Sequence, residues 1–323
     1  MAFNLLILRT GGQSDSESID RWPDLLRESI PDIEVNVARS AGEAMEMIGE
    51  ADAAFGNIVS EVFEKQTKLR WIACPQAGPA AGYYHSDLID SDVIVTNTRD
   101  IYNDHISNHI MSYVLAFARG LHTYIRSQVE GEGQPGYEIV NLPDATAVVV
   151  GIGGIGGETA RLCSEFGMTV IGVDPRVEDI PKGVSEVVSP DGLDDALARA
   201  DFVIVTVPET PQTQGLFTIE KFRRMRSSAH FINIGRGATV VLDDLVTALE
   251  DGEIRGAALD VFEIEPLPSG HPLWGMPNVI ITPHCAGAGP YLDDRRTELF
   301  IENCVRFSEG KELKNVVDKA NWF

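Results

Sequence analysis

The chain alternates short apolar runs with longer stretches in which apolar residues recur at helical spacing, and it does so in two rounds. In the first round the runs are Phe3–Leu8, Ile33–Val37, Ala51–Phe55, Leu69–Cys74 and Val93–Thr96. Each is too short for a helix, and all but the alternating Ile33–Val37 are mostly apolar, as a strand covered on both faces is. A helical stretch follows from His105 to about Ile125. The second round runs through Thr146–Val150, Thr169–Val173, Phe202–Val207, His230–Ile234, Gly256–Leu259 and Val279–Thr282, and a last helix spans Tyr291–Glu309. Strands separated by helices build parallel sheets with helices on both faces. The prediction is an α/β chain with two open, mostly parallel domains.

Directly after the first strand of the second round comes Gly151-Ile-Gly153-Gly154-Ile155-Gly156, and the next strand ends at Asp174, eighteen residues beyond Gly156. Strand, glycine turn, helix, strand and acid, in that order, hold the pyrophosphate and ribose of a dinucleotide. Gly151 turns the chain off the strand, Gly153 lets backbone N–H groups approach phosphate, and Gly156 lets the helix (expected over Glu158–Phe166) pack on the sheet. The helix N-terminus then faces the phosphates with its partial positive charge. Asp174 can accept from both ribose hydroxyls, and its carboxylate repels a 2′-phosphate, so NAD is favoured over NADP. Arg176, beyond Pro175, keeps the opposite option open; otherwise it is a solvated loop residue.

The motif sits near the middle of the chain. A central Rossmann domain, 101–287, is therefore expected as an insertion into a flavodoxin-like substrate domain built from 1–100 and 288–323. On that topology the strand C-terminal ends of the central domain face a cleft, and the chemistry is sought there.

Composition narrows the function classes. Hydrophobic residues make up 44%, which is globular, and no apolar run nears the ~18 residues of a membrane span. Phe3–Leu8 has no basic residue ahead of it and reads as a buried strand, not a leader. The net charge is −23, with 49 acidic against 26 basic residues, of which seven are lysine. Nothing basic is clustered to neutralise phosphates, so a nucleic-acid partner is not expected. Such a surface fits either a protein kept soluble in high salt or an ordinary acidic cytoplasmic enzyme. Cys74, Cys163, Cys285 and Cys304 show no metal-ligand spacing, so reduced thiols in cytoplasm are expected and no metal is.

Three residues just past strand ends can carry a reaction. Arg236 lies in Asn233-Ile-Gly-Arg-Gly237, Glu265 in Asp260-Val-Phe-Glu-Ile-Glu265-Pro266, and His284 in Thr282-Pro-His284. A guanidinium grips a carboxylate with two prongs and polarises an adjacent carbonyl. Hydride arriving at that carbonyl carbon leaves an alkoxide, which needs a proton. An imidazole, ordinarily of pKa about 6.5, serves as acid and base. A glutamate held against it favours the imidazolium. The set suits hydride transfer between a nicotinamide and a small 2-oxo acid.

Val205-Thr-Val-Pro-Glu-Thr-Pro-Gln-Thr213-Gln-Gly215, Asn233–Val241, Gly256–Pro268, Pro277–His284 and Gly310–Asp318, with the glycine turn and Asp174, resemble the D-isomer-specific 2-hydroxyacid dehydrogenases. The resemblance implies that Arg236 binds the substrate carboxylate and carbonyl, that His284 is the acid–base, and that Glu265 tunes it. It implies that Asp260 bonds the nicotinamide carboxamide and that Val207 and Pro208 wall the adenine. Thr213, Ile234, Gly235 and Gly287 join the cofactor-binding set, and a homodimer is expected. It also implies that a glycine loop after the fourth strand holds the substrate carboxylate. Here that loop is Gln76-Ala-Gly78-Pro-Ala-Ala-Gly82, and Pro79 has no N–H, so Ala77 and Gly78 must donate. Departures from the family pattern are Ala80 and Asn108, where acids are usual, and Gly289 for a threonine. Arg9 and Arg99 are read as solvated loop residues, with a second anionic group of the substrate as the other possibility. The alternative functions are an NAD-binding corepressor or scaffold on the same fold and a phosphite dehydrogenase-like enzyme.

Overall fold

The structure is a computed structural model that describes residues 2–10, 17–79, 82–133, 136–176 and 180–322; Ala80 lies outside them. The chain divides into two compact units, Met1–Ile101 with Gly289–Phe323, and Tyr102–Ala288. The divisions fall one residue after those expected.

In the discontinuous unit, β1 (Asn4–Leu8), β2 (Glu34–Ala38), β3 (Ala53–Phe55), β4 (Trp71–Ala73) and β5 (Ile94–Thr96) form one sheet in the order β2-β1-β3-β4-β5. All its pairings are parallel. This is the flavodoxin-like order. Successive residues point to opposite faces: Leu6, Leu8, Ala54 and Ile72 enter one core, while Leu5, Ile7, Ala53, Phe55 and Trp71 enter the other. Helix Leu292–Glu309 covers the second face, with Phe300 stacked on Trp22 at 4.4 Å between ring centroids.

The continuous unit carries β6 (Thr146–Val150), β7 (Thr169–Val173), β8 (Glu186–Val188), β9 (Phe202–Val205), β10 (His230–Asn233), β11 (Gly256–Leu259) and β12 (Val279–Ile281). The order is β12-β11-β10-β9-β6-β7-β8. Counted from β6, that is the Rossmann order 3-2-1-4-5-6 with a seventh strand added. The strand order reverses between β6 and β9, which pair in parallel, and this is the switch point at which such sheets bind ligands. Val148, Val150, Val203 and Val205 fill one core, and Ala147, Val149, Phe202 and Ile204 the other.

Two helical expectations are corrected. The stretch expected over His105–Ile125 is two helices, Asn103–Arg119 and Leu121–Glu130, because Gly120 adopts φ +68° between them. A Cβ on Gly120 would also lie 2.6 Å from the Tyr137 ring. The helix after the glycine turn runs Gly154–Glu165, not from Glu158; its first turn is made of the glycines themselves.

Candidate active site

β6 ends at Val150, and Gly151 turns the chain away at φ +88°. Gly156 packs so tightly that a Cβ there would lie 1.9 Å from the Gly151 carbonyl oxygen. Gly153 is the contrast: among the described residues a Cβ there would meet only Arg176 Nη2, at 3.8 Å. Gly153 and Gly154 are exposed, Ile155 is half-buried and Gly156 is buried. Gly153 is the N-cap of a twelve-residue helix and supplies no side-chain cap. The first N–H groups of that helix therefore lack intrahelical and side-chain acceptors among the described residues, and they fit an anion such as pyrophosphate.

Asp174, 3% exposed, closes the next strand. Its Oδ2 accepts from Ile152 N at 3.0 Å, inside the glycine turn. Its Oδ1 accepts from Arg176 N at 2.9 Å and Nε at 3.1 Å. Burial works to raise its pKa, but the Arg176 guanidinium and the two backbone N–H groups outweigh burial and hold it below the usual carboxylate range. Arg176 is thus paired across Pro175, not merely solvated as the sequence suggested. The same holds for Arg9, which bonds Asp20 with its side chain only 9% exposed.

Three loops after β10, β11 and β12 carry the expected trio; Glu265 and His284 meet, while Arg236 Nη1 donates to Gly235 O at 2.6 Å within its own loop. Asn233, 1% exposed, brackets the first loop: its Oδ1 accepts from Gly235 N at 3.0 Å and its Nδ2 donates to Arg236 O at 3.1 Å. Ile234 is buried beneath it. A Cβ on Gly237 would lie 1.8 Å from the Phe262 carbonyl carbon, so the Arg236 loop rests directly on the Phe262 backbone. Phe262 N donates to Glu265 Oε1 at 2.9 Å. The other oxygen of Glu265, Oε2, lies 2.7 Å from His284 Nδ1. A carboxylate can only accept, so Nδ1 carries the proton and Nε2 is left for a substrate. His284 is half-exposed, its side chain 51% accessible.

Asp260 sits beneath the His284 loop, 1% exposed. It accepts from Thr282 Oγ1, from Cys285 N at 2.9 Å and from Ala286 N at 2.9 Å. Its two oxygens are thus bonded to the loop that carries His284. Sequence reasoning missed what lies beyond: Tyr113 bonds Thr282, and His109 Nε2 lies 2.9 Å from Tyr113 Oη and 3.2 Å from Thr282 Oγ1. The only trace in sequence is that His109 and Tyr113 stand four apart on one helix, hence on one face. His109, Asp260 and Cys285 bring three donor atoms within 4.8 Å of one another. The Thr282 hydroxyl bonds both His109 and Asp260, so a hydrogen-bond network runs through the cluster.

The remaining expected residues are placed as follows. Val207 packs on Gly151, where a Cβ would meet its Cγ1 at 2.9 Å, and on Gly235, where a Cβ would meet its carbonyl oxygen at 2.6 Å. Thr213 closes its own loop, accepting from Thr210 N at 2.8 Å and donating to Pro208 O at 2.6 Å. Gly287 faces Tyr102 and Ile106. Ala77 and Gly78 belong to the other unit, where Asn97 Nδ2 donates to Ala77 O at 2.8 Å.

A Rossmann sheet with an uncapped glycine turn and a carboxylate-bonded imidazole past its strand ends has the make-up of a nicotinamide-dependent oxidoreductase. Residues 111–286 match the family described as D-isomer specific 2-hydroxyacid dehydrogenase, NAD binding domain. A glyoxylate reductase of Korarchaeum cryptofilum is 33% identical over 274 residues, covering 81% of this chain and 80% of its own. A solved D-isomer specific 2-hydroxyacid dehydrogenase from Xanthobacter autotrophicus Py2, in complex with NADPH and MES, superposes with TM-score 0.86 at 29% identity, over 100% of both chains. An NADPH-dependent glyoxylate/hydroxypyruvate reductase of Sinorhizobium meliloti, with NADP and sulfate, gives TM-score 0.81 at 26% identity, again over 100% of both. The chain belongs to the D-isomer specific 2-hydroxyacid dehydrogenase family. It is a hydride-transfer oxidoreductase of 2-oxo and 2-hydroxy acids that uses a nicotinamide cofactor.

Proposed function

We propose that the protein reduces small 2-oxo acids to D-2-hydroxy acids with NADH, with Arg236 binding the substrate and His284, held by Glu265, as acid–base. The bound nicotinamide supplies and accepts the hydride. The N–H groups of Gly153 to Gly156 would hold its pyrophosphate and Asp174 its ribose, while Pro175, Arg176, Val207, Pro208, Thr213, Ile234, Gly235, Asp260 and Gly287 line its path. Arg236 grips the substrate carboxylate and draws charge toward the carbonyl oxygen. His284 Nε2 delivers a proton to that oxygen, and Glu265 offsets the charge of the imidazolium. Ala77 and Gly78 add backbone donors to the carboxylate.

The observation that carries this reading is the 2.7 Å contact of His284 Nδ1 with Glu265 Oε2, which fixes the tautomer. The names of the relatives select glyoxylate and hydroxypyruvate as the first substrates to try. The test is loss of NADH absorbance with these two acids, pyruvate and a branched oxo acid, beside the His284→Ala variant. Turnover with none of them, or full turnover by His284→Ala, would sink the reading.

The buried, low-pKa carboxylate of Asp174 supports NAD(H) over NADP(H). Arg176 favours a second reading, in which it leaves Asp174 to bind a 2′-phosphate; the NADP-bound neighbours agree with that option. A homodimer is supported by Leu121, Tyr124, Ile125 and Val129, exposed along one face of helix Leu121–Glu130. Cytoplasmic residence is supported by four free thiols, three of them buried. No helix among the described residues is long and apolar enough to cross a membrane.

A further inference from the structure

The structure assigns His109 and Tyr113 as positioning residues for the acid–base loop: through the Thr282 hydroxyl they lock the Asp260 carboxylate that sets the backbone around His284. The inference rests on the proposed role of His284.

His284 has φ +51°, a left-handed conformation that is unfavourable for a non-glycine residue and persists only where its surroundings impose it. The imposing group is Asp260. Its backbone oxygen accepts from His284 N at 2.8 Å, and its carboxylate accepts from the next two N–H groups, those of Cys285 and Ala286. One acid therefore holds three consecutive amides.

The carboxylate is itself aimed by the third strand-end hydroxyl, that of Thr282. The order of protons can be worked out. Asp260 accepts, so Thr282 donates to it; the Thr282 oxygen is then free to accept, and the hydrogen bond with Tyr113 requires the phenol to donate. Burial pushes the Tyr113 phenol up, against the Thr282 hydrogen bond, so it keeps that proton near neutrality. The Tyr113 oxygen in turn accepts from His109 Nε2. The result is one directed chain, His109 to Tyr113 to Thr282 to Asp260, in which each bond polarises the next. It ties the helix Asn103–Arg119 to the loop after β12 within the same unit.

The test is steady-state kinetics on the whole chain with NADH and glyoxylate or hydroxypyruvate. Thr282→Val should lower kcat about tenfold or more while KM for NADH stays within about twofold, since a small misplacement of a reacting group costs this much. Thr282→Ser, which keeps the hydroxyl, should recover most of kcat. Tyr113→Phe and His109→Leu should each lower kcat severalfold, and neither should lower it further in the Thr282→Val background. Melting temperature and NADH titration accompany each variant. The inference is overturned if Tyr113→Phe and Thr282→Val leave kcat unchanged, if Thr282→Ser fails to restore it, or if kcat falls only with parallel losses of melting temperature and NADH affinity. An active His284→Ala would instead sink the acid–base reading; an inactive His284→Ala beside fully active network variants would sink this inference alone.

Discussion

His230 offers a quantitative test of the nucleotide-binding unit. It opens β10, whose other end carries the Arg236 loop, and it is 1% exposed. Its ring stacks between Phe117 at 4.5 Å and Phe202 at 5.3 Å. Nε2 lies 3.3 Å from Tyr137 Oη, and Nδ1 has no partner among the described residues. Burial first, then the charges of Arg255 and His122, pull its pKa down to about 3. In the unfolded chain the same imidazole titrates near ~6.5. Between these values the unfolded state holds a proton that the native state refuses. The contribution is therefore intact above the unfolded pKa and is lost as pH falls, at up to about 1.4 kcal/mol per pH unit. By pH 5 the loss is about 2 kcal/mol, a large share of the ~5–15 kcal/mol that holds a domain folded. His230→Phe keeps the stack and removes the titration. Urea unfolding at pH 7.5 and pH 5 should show the acid-induced loss about 2 kcal/mol smaller in the variant. All other groups titrate in both proteins and cancel in the difference. Equal losses in the two proteins, or an imidazole of His230 that titrates near 6.5 in a native-state NMR experiment, would refute the argument.

Other perturbations separate fold from chemistry. Gly156→Ala, whose Cβ has only 1.9 Å to the Gly151 oxygen, should destabilise by about 1–3 kcal/mol or more, read as a drop in melting temperature. Gly153→Ala, with nothing closer than 3.8 Å, should keep the melting temperature yet weaken NADH binding at least tenfold in a fluorescence titration. Glu265→Gln removes the carboxylate 2.7 Å from His284 Nδ1, so kcat for reduction should fall about tenfold or more with NADH binding kept; an unchanged kcat shows that the carboxylate does not hold the imidazole. Asp174→Ser should raise the preference for NADPH relative to NADH tenfold or more in kcat/KM, and an unchanged ratio would remove Asp174 from cofactor choice.

The strands were legible because both faces of each sheet are covered, which makes Thr146–Val150 and Thr169–Val173 almost wholly apolar; both were placed to the residue. The edge strand Glu186–Val188 was not, since its residues are half-buried and it opens on a glutamate. Gly120 carries no local sign that it parts two helices; Tyr137, distant in sequence, crowds it. Likewise Glu265 and His284 could be singled out from their places past strand ends, whereas the chain from His109 through Tyr113 to Thr282 joins residues 173 positions apart. Only tertiary packing brings those together. Arg9 and Arg176 looked solvated because a loop arginine usually is; Arg9 instead meets Asp20, and Arg176 turns back onto Asp174 across Pro175.

The split layout of the first unit orders events during synthesis. Trp22, Phe55 and Trp71 are made early, but the rings that close over them, Phe300 and Phe307, are made near the end. Val95 and Asn97 also wait for Val317 and Asn315 to complete their backbone bonds. The intervening unit is one uninterrupted stretch and can close first. While it does so, the earliest-made sheet waits with an aromatic face uncovered, and a nascent chain halted before residue 300 should be the form most in need of a chaperone.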